Sequence, residues 1–141
     1  MFDVIVVGHD GSEDARRALA TAVAVTRDGG RLVIAYIEQE VVGKGGSPVP
    51  ITAEEVEAEI RREAKALKED GLDVAFHVHR AVLGGPAPAI VKVAHEFNAQ
   101  LIVVGTRGRS ALAGLLVGSV AQRLLHLSDL PVLAVPSPGT G

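Results

Sequence analysis

The segment LIVVGTRGRSALAGLLVGSVAQRLLHLSDLPVLAV, Leu101 to Val135, decides the fold. It opens on an apolar run, Leu101 to Val104, of the kind found in strands buried on both faces. Gly105-x2-Gly108 follows, and after nine intervening residues Gly118-Ser119 precedes Val120, Ala121, Leu124 and Leu125 at helical spacing. Ser119 stands where a helix N-cap is expected. Val132 to Val135 is a further short apolar strand. A strand, a glycine-punctuated loop and a helix start together make an anion site: glycine lets backbone N–H groups approach an oxygen-rich ligand, and the helix start favours negative charge. The same residues also read as turn glycines and a capping serine. They do not form a P-loop, because no Gly-Lys-Ser/Thr follows the glycines.

Working outward, Val4 to Val7 reads as a strand that ends in Gly8-His9-Asp10-Gly11-Ser12. Ala15, Ala18, Leu19, Ala22 and Val23 then recur at helical spacing, with Glu13 and Asp14 in the first turn to complement the dipole. After Gly29-Gly30, Leu32 to Ile37 is a second buried strand. Glu38 to Ile51 lacks periodicity and is expected to be a mobile surface loop. Thr52-Ala-Glu-Glu55 is a capping-box pattern, and the following helix turns Val56, Ile60, Ala64 and Leu67 inward and stops at Gly71. Val74 to Val82 is a third strand. Gly84-Gly85-Pro86 leads into a helix with Ile90, Val93, Ala94 and Phe97 on one side. Strand and helix alternate throughout, which predicts an α/β fold, an open doubly wound parallel sheet of five strands with helices on both faces. With strand order 3-2-1-4-5 the first and fourth strands are neighbours, and Asp10 faces the glycine loop across the crevice where such sheets bind ligands. Residues 1–136 read as one domain and 137–141 as a frayed tail.

Composition narrows the chemistry. Of 141 residues 48% are apolar but only 3% aromatic, so the core is built from Val, Leu, Ile and Ala. A net charge of −3 gives no basic footprint for nucleic acid. The absence of cysteine removes disulfides, thiolate metal sites and Cys nucleophiles. No signal peptide precedes the first strand and no apolar run is long enough for a bilayer, so a soluble cytoplasmic protein without membrane partners is expected.

Gly105-x2-Gly108-x9-Gly118-Ser119 between Leu-Ile-Val-Val and Pro131-Val-Leu-Ala-Val resembles the ATP-binding signature of the universal stress protein family. Val4-Ile-Val-Val-Gly-His-Asp10-Gly-Ser12 and Gly85-Pro86 match the same family in the same order, so the resemblance spans nearly the whole chain. It implies an adenine-nucleotide alpha-hydrolase-like fold and an ATP-binding, nucleotide-responsive regulator of stress adaptation. The triphosphate would lie on the N–H groups around Gly108, Gly118, Ser119 and Val120, after Gly105, with Arg107 or Arg109 near the charge. Adenosine would sit near Gly8, Asp10 and Tyr36, and ATP could bind with or without Mg2+. The family also implies a homodimer joined through Val132 to Val135, which would cover an edge strand bounded by Pro131 and Pro136.

Each of these residues has a plainer reading. Asp10 fits an Asx-turn, Ser12 a helix cap, and Tyr36 either a base-stacking ring or a core-edge aromatic with its hydroxyl in water. Arg107 replaces a His common in the family, and a permanently charged fork should attract polyphosphate more strongly. Gln100 replaces a common acidic residue, a change expected to affect only the surface. His77 and His79 share a strand face but lack an evident third metal ligand. A His9–Asp10 dyad is disfavoured because neighbouring strand residues point to opposite faces; His95 and His126 read as solvated. No water-activating base or P-loop lysine stands out, so hydrolysis is expected to be slow or absent. The rivals are a nucleotide-independent interaction module of the same fold, a slow ATPase and a phosphotransfer receiver. The last is disfavoured by the absence of its acidic pair, acceptor Asp and Lys at the corresponding places.

Overall fold

The computed structural model describes residues 1–39, 53–81, 85–106 and 118–138. In chain order the elements are β1 (Phe2–His9), α1 (Glu13–Val25), β2 (Thr26–Gln39), α2 (Ala53–Glu69), β3 (Asp73–Ala81), α3 (Pro86–Glu96), β4 (Leu101–Gly105), α4 (Ser119–Leu127) and β5 (Val132–Val135). Among the described residues the strands form one parallel sheet, as the alternating pattern predicts, in the expected order β3-β2-β1-β4-β5.

Strand alternation sorts the apolar residues into two cores. Ile5, Val7, Leu32 and Ile34 pack with Ala18, Leu19 and Ala22 of α1 and with Val56, Ile60 and Ala64 of α2. Val6, Val33, Ala35 and Ile102 pack on the other face, against Ile90 and Val93 of α3 and Ala121 and Leu124 of α4. Each fully buried aliphatic side chain contributes about 1.5–3 kcal/mol, so both helix layers are held chiefly by this burial. The small inner face of α1 lets its backbone come close to β4. A Cβ at Gly105 would stand 2.7 Å from Asp14 Cβ and 2.8 Å from the Asp14 carbonyl carbon.

Boundaries differ in one informative place. The Gly29-Gly30 pair, read as a break before the second strand, lies inside β2, which begins at Thr26. Phe2 pairs with Thr26 but Val4 with Arg31, so extra β2 residues bulge out between the two pairings. A Cβ at Gly30 would come within 2.7 Å of the Asp3 carbonyl oxygen, which is why glycine occupies the bulge. The expected loop between Glu38 and Ile51 and the capping Thr52 fall outside the described residues, except that Glu38 and Gln39 still belong to β2.

After β5 the segment Pro136 to Pro138 stays on the body. The Ser137 hydroxyl donates to Asp14 Oδ2 at 2.8 Å, and Arg17 donates to the other carboxylate oxygen. Residues 139–141 of the expected tail are outside the description. No helix among the described residues is long and apolar enough to cross a membrane.

Candidate functional site

β1 and β4 lie side by side, with Val7 opposite Val103, and their following helices leave on opposite faces of the sheet. That divergence opens a crevice at the carboxyl ends of these strands, the place where open α/β sheets take ligands.

On the β4 side, Thr106 is buried and its N–H donates to the Val135 carbonyl at 3.0 Å. Its own carbonyl accepts from Gly118 N–H, which fixes the start of α4 at the end of β4. The cap of α4 is Gly118 rather than Ser119. Gly118 has the extended backbone of a cap residue (φ −70°, ψ 164°), and its carbonyl accepts the first helical bond from Gln122 N–H at 3.1 Å. Ser119 is the first helical residue and is exposed. Among the described residues no side chain caps α4, and its first turn holds no acidic residue. With Gly118 N–H committed to Thr106, Ser119, Val120 and Ala121 carry the first-turn N–H groups for which the helix itself supplies no carbonyl.

Gly118 and Gly105 owe their identity to different causes. Gly105 is required by the approach of α1. The backbone angles of Gly118 suit any residue, and Ser, Asp or Asn there would cap the helix. Gly8 is a packing glycine too, since a Cβ would reach 2.8 Å from Ile90 Cδ1 and 3.0 Å from Val104 Cγ1. Arg107, Gly108 and Arg109 of the expected loop, with Ser110, lie outside the described residues.

The β1 side is a compact turn. Asp10 Oδ1 accepts from Ser12 N–H at 2.9 Å, the Asx-turn expected there, and Ser12 Oγ caps α1 by accepting from Ala15 N–H at 3.1 Å. Tyr36 is 6% exposed and belongs to the core on the α1/α2 face, registered beside His9.

His9 has a partner that the sequence did not disclose. Its buried ring accepts from Gly11 N–H through Nδ1 at 3.0 Å and meets Glu63 Oε2 of α2 through Nε2 at 2.8 Å. Acceptance at Nδ1 puts the ring proton on Nε2, where it is donated to the carboxylate. Glu63 Oε1 accepts from Arg16 Nε at 2.8 Å, while Arg16 also reaches the Gly11 carbonyl at 3.0 Å and Glu59 at 3.2 Å. Partial burial by itself would raise the Glu63 carboxyl, but the hydrogen bonds from His9 and Arg16, with the guanidinium charge of Arg16, outweigh it and hold the group below the ordinary carboxylate value. For Arg16 burial acts to lower the value, and Glu63, Glu13 and Glu59 together raise it above the ordinary one.

Three of the remaining histidines lie away from this turn. His77 and His79 stack half-buried on edge strand β3 with centroids 6.2 Å apart, and His77 meets the edge of Phe97. Exposed His95 pairs with Asp129 at 2.9 Å. Among the described residues no cluster of three or more His, Asp or Glu could hold a metal ion.

The model of the universal stress protein family matches residues 1–136. The chain is 35% identical to a universal stress protein of Thermus aquaticus named for the QAH/OAS sulfhydrylase 3′ region, over 96% of this chain and 99% of that one. Among solved structures it resembles the hypothetical protein MJ0577, with a TM-score of 0.75, 24% identity and 99% of each chain covered, a likeness of fold. It is also similar to a universal stress protein in complex with cAMP, with a TM-score of 0.65, 28% identity, and 97% of this chain and 99% of that chain covered. The chain belongs to the universal stress protein family.

Proposed function

We propose that this universal stress protein family member binds ATP in the crevice between the ends of β1 and β4 and acts as a nucleotide-responsive regulator. The observation that carries the reading is the start of α4, which no side chain among the described residues caps. Gly118 occupies a cap position where its backbone needs no glycine, where a polar side chain would add stability, and where a ligand oxygen would need the space. The N–H groups of Ser119, Val120 and Ala121 would receive phosphate oxygens, and Asp10 would face the ribose. The similar protein in complex with cAMP supports an adenine nucleotide as the ligand class. Arg107 and Arg109 would add positive charge beside the phosphates, and Mg2+ could accompany them.

Binding without rapid turnover fits the β1 turn. His9 is buried and spends its proton on Glu63, so it is not placed to activate water. Hydrolysis would be slow or absent. The regulator would be a cytoplasmic homodimer of one domain, residues 1–136. β5 ends the sheet with Leu133 36% exposed, and pairing with its own copy across a two-fold axis would cover this edge.

Isothermal titration with ATP, ADP and AMP tests the reading directly. Saturable heat with ATP that weakens in Gly118→Ala at unchanged thermal stability is the expected result. A chain that gives no heat with any adenine nucleotide is instead an interaction module of the same fold. Native mass spectrometry of the untreated protein should show a dimer with retained nucleotide.

A further inference from the structure

The turn between β1 and α1 is held from the side away from the crevice. Gly11 adopts a left-handed backbone (φ +85°), and a Cβ there would stand 2.7 Å from Val56 Cγ1 of α2. Its N–H is taken by His9 Nδ1 and its carbonyl by Arg16 Nη1, both at 3.0 Å. Both polar groups of the Gly11 main chain are thus satisfied by side chains that meet at Glu63. His9 is 2% exposed and faces the α1/α2 core, so it cannot touch a ligand in the crevice. Yet it sits immediately before Asp10, and it bonds the residue immediately after.

We propose that His9 is a positioning residue for nucleotide binding: its Nδ1, oriented by Glu63 through Nε2–H, fixes the Gly11 peptide and so sets the direction of the Asp10 carboxylate. The inference rests on the nucleotide reading of the crevice and adds to it a buried determinant of affinity. Without the Nδ1 acceptor the part-buried Gly11 N–H would lose its partner, and the turn would relax to satisfy it elsewhere. The Asx-turn bond from Ser12 N–H to Asp10 would move with it. Glu63 matters because an imidazole without an acceptor for Nε2–H is free to change tautomer or flip, either of which removes the Nδ1 lone pair from Gly11.

Two substitutions separate the ring's two nitrogens. The Asn side-chain oxygen lies as many bonds from the backbone as Nδ1 and can accept from Gly11 N–H. The Gln amide nitrogen corresponds to Nε2 and can only replace the donation to Glu63. Wild type, His9→Asn and His9→Gln are compared by ATP titration and by thermal melting. His9→Asn should retain the wild-type dissociation constant to within about threefold, and His9→Gln should weaken it by about tenfold, the scale of one hydrogen bond. Equal affinities in the two variants, whether both intact or both reduced, or the reverse order, would overturn the assignment. If neither His9 variant folds, Glu63→Gln and Glu63→Leu decide the matter, since Gln keeps an acceptor for Nε2–H and Leu does not. Loss of about tenfold in Leu alone supports the proposal and equal affinity refutes it. Absence of ATP binding by the wild type defeats the nucleotide reading itself, a result distinguishable from failure of the His9 assignment.

Discussion

The starts of α1 and α4 hold equivalent places, each following one of two neighbouring strands at the same end of the sheet. Their chemistry is opposite. Ser12 caps α1 through Ala15 N–H, and Glu13 and Asp14 answer the positive end of its dipole. α4, which follows Gly118 as its cap, has no side-chain cap among the described residues and no first-turn carboxylate. The contrast teaches that one helix start is completed by its own residues, while the other, on the reading proposed above, would keep its donors for an anion from outside.

Giving α4 the equipment of α1 should have the largest effect. Gly118→Asp would cap the helix and place a carboxylate where phosphate is proposed to lie. ATP affinity should fall by about 100-fold or more by titration, because like charges brought together cost several kcal/mol. Unfolding in urea should meanwhile show unchanged stability or a gain of a few tenths of a kcal/mol. Undiminished ATP affinity would break the comparison.

The α1 side is tested by removing its anchor to α2. Glu63→Ala leaves the buried Nε2–H of His9 unpaired and takes a partner from Arg16, so equilibrium unfolding should show a loss of about 1–3 kcal/mol. A smaller effect comes from the two serines. Ser12→Ala should cost about 1 kcal/mol of stability as a lost cap, whereas Ser119→Ala, exposed and already inside its helix, should stay within about 0.5 kcal/mol. Equal losses in urea would mean that the two helix starts are built alike after all.

The smallest effect lies in acid. Because the folded-state value of Glu63 is lowered, its contribution is complete above the unfolded carboxyl value and is lost as pH falls through the folded one. Below the ordinary carboxylate range, about pH 4, wild type should therefore lose stability more steeply than Glu63→Gln. Parallel stability curves from pH 6 to pH 3 would show that the carboxylate adds nothing there.

Much of this architecture was legible in the sequence, because its signals are local. Short apolar runs and helical periodicities mark the strands and helices from Val4 to Val135, and their alternation yields the parallel doubly wound sheet. The Asx-turn at Asp10 and the cap at Ser12 were equally readable, since each involves residues two or three positions apart. Gly118-Ser119 was ambiguous because both residue types serve as caps, and only backbone angles separate the cap from the first helical residue. The His9–Glu63 contact was invisible for a different reason. Its partners are 54 positions apart, and several glutamates of α2 look alike until the helix is laid against β1. Gly29-Gly30 misled because a bulge within a strand and a break before one use the same residues.

The bond between Ser137 and Asp14 spans 123 positions. Asp14 is also the residue against which Gly105 of β4 packs. During translation, α1 therefore leaves the ribosome long before the groups that cover its first turn have been made, and contacts of such separation form late. A nascent chain halted before residue 137 would hold this carboxylate without its hydroxyl partner, beside the turn that carries Asp10. The mouth of the crevice is thus among the last parts of the molecule to be completed as it is synthesised.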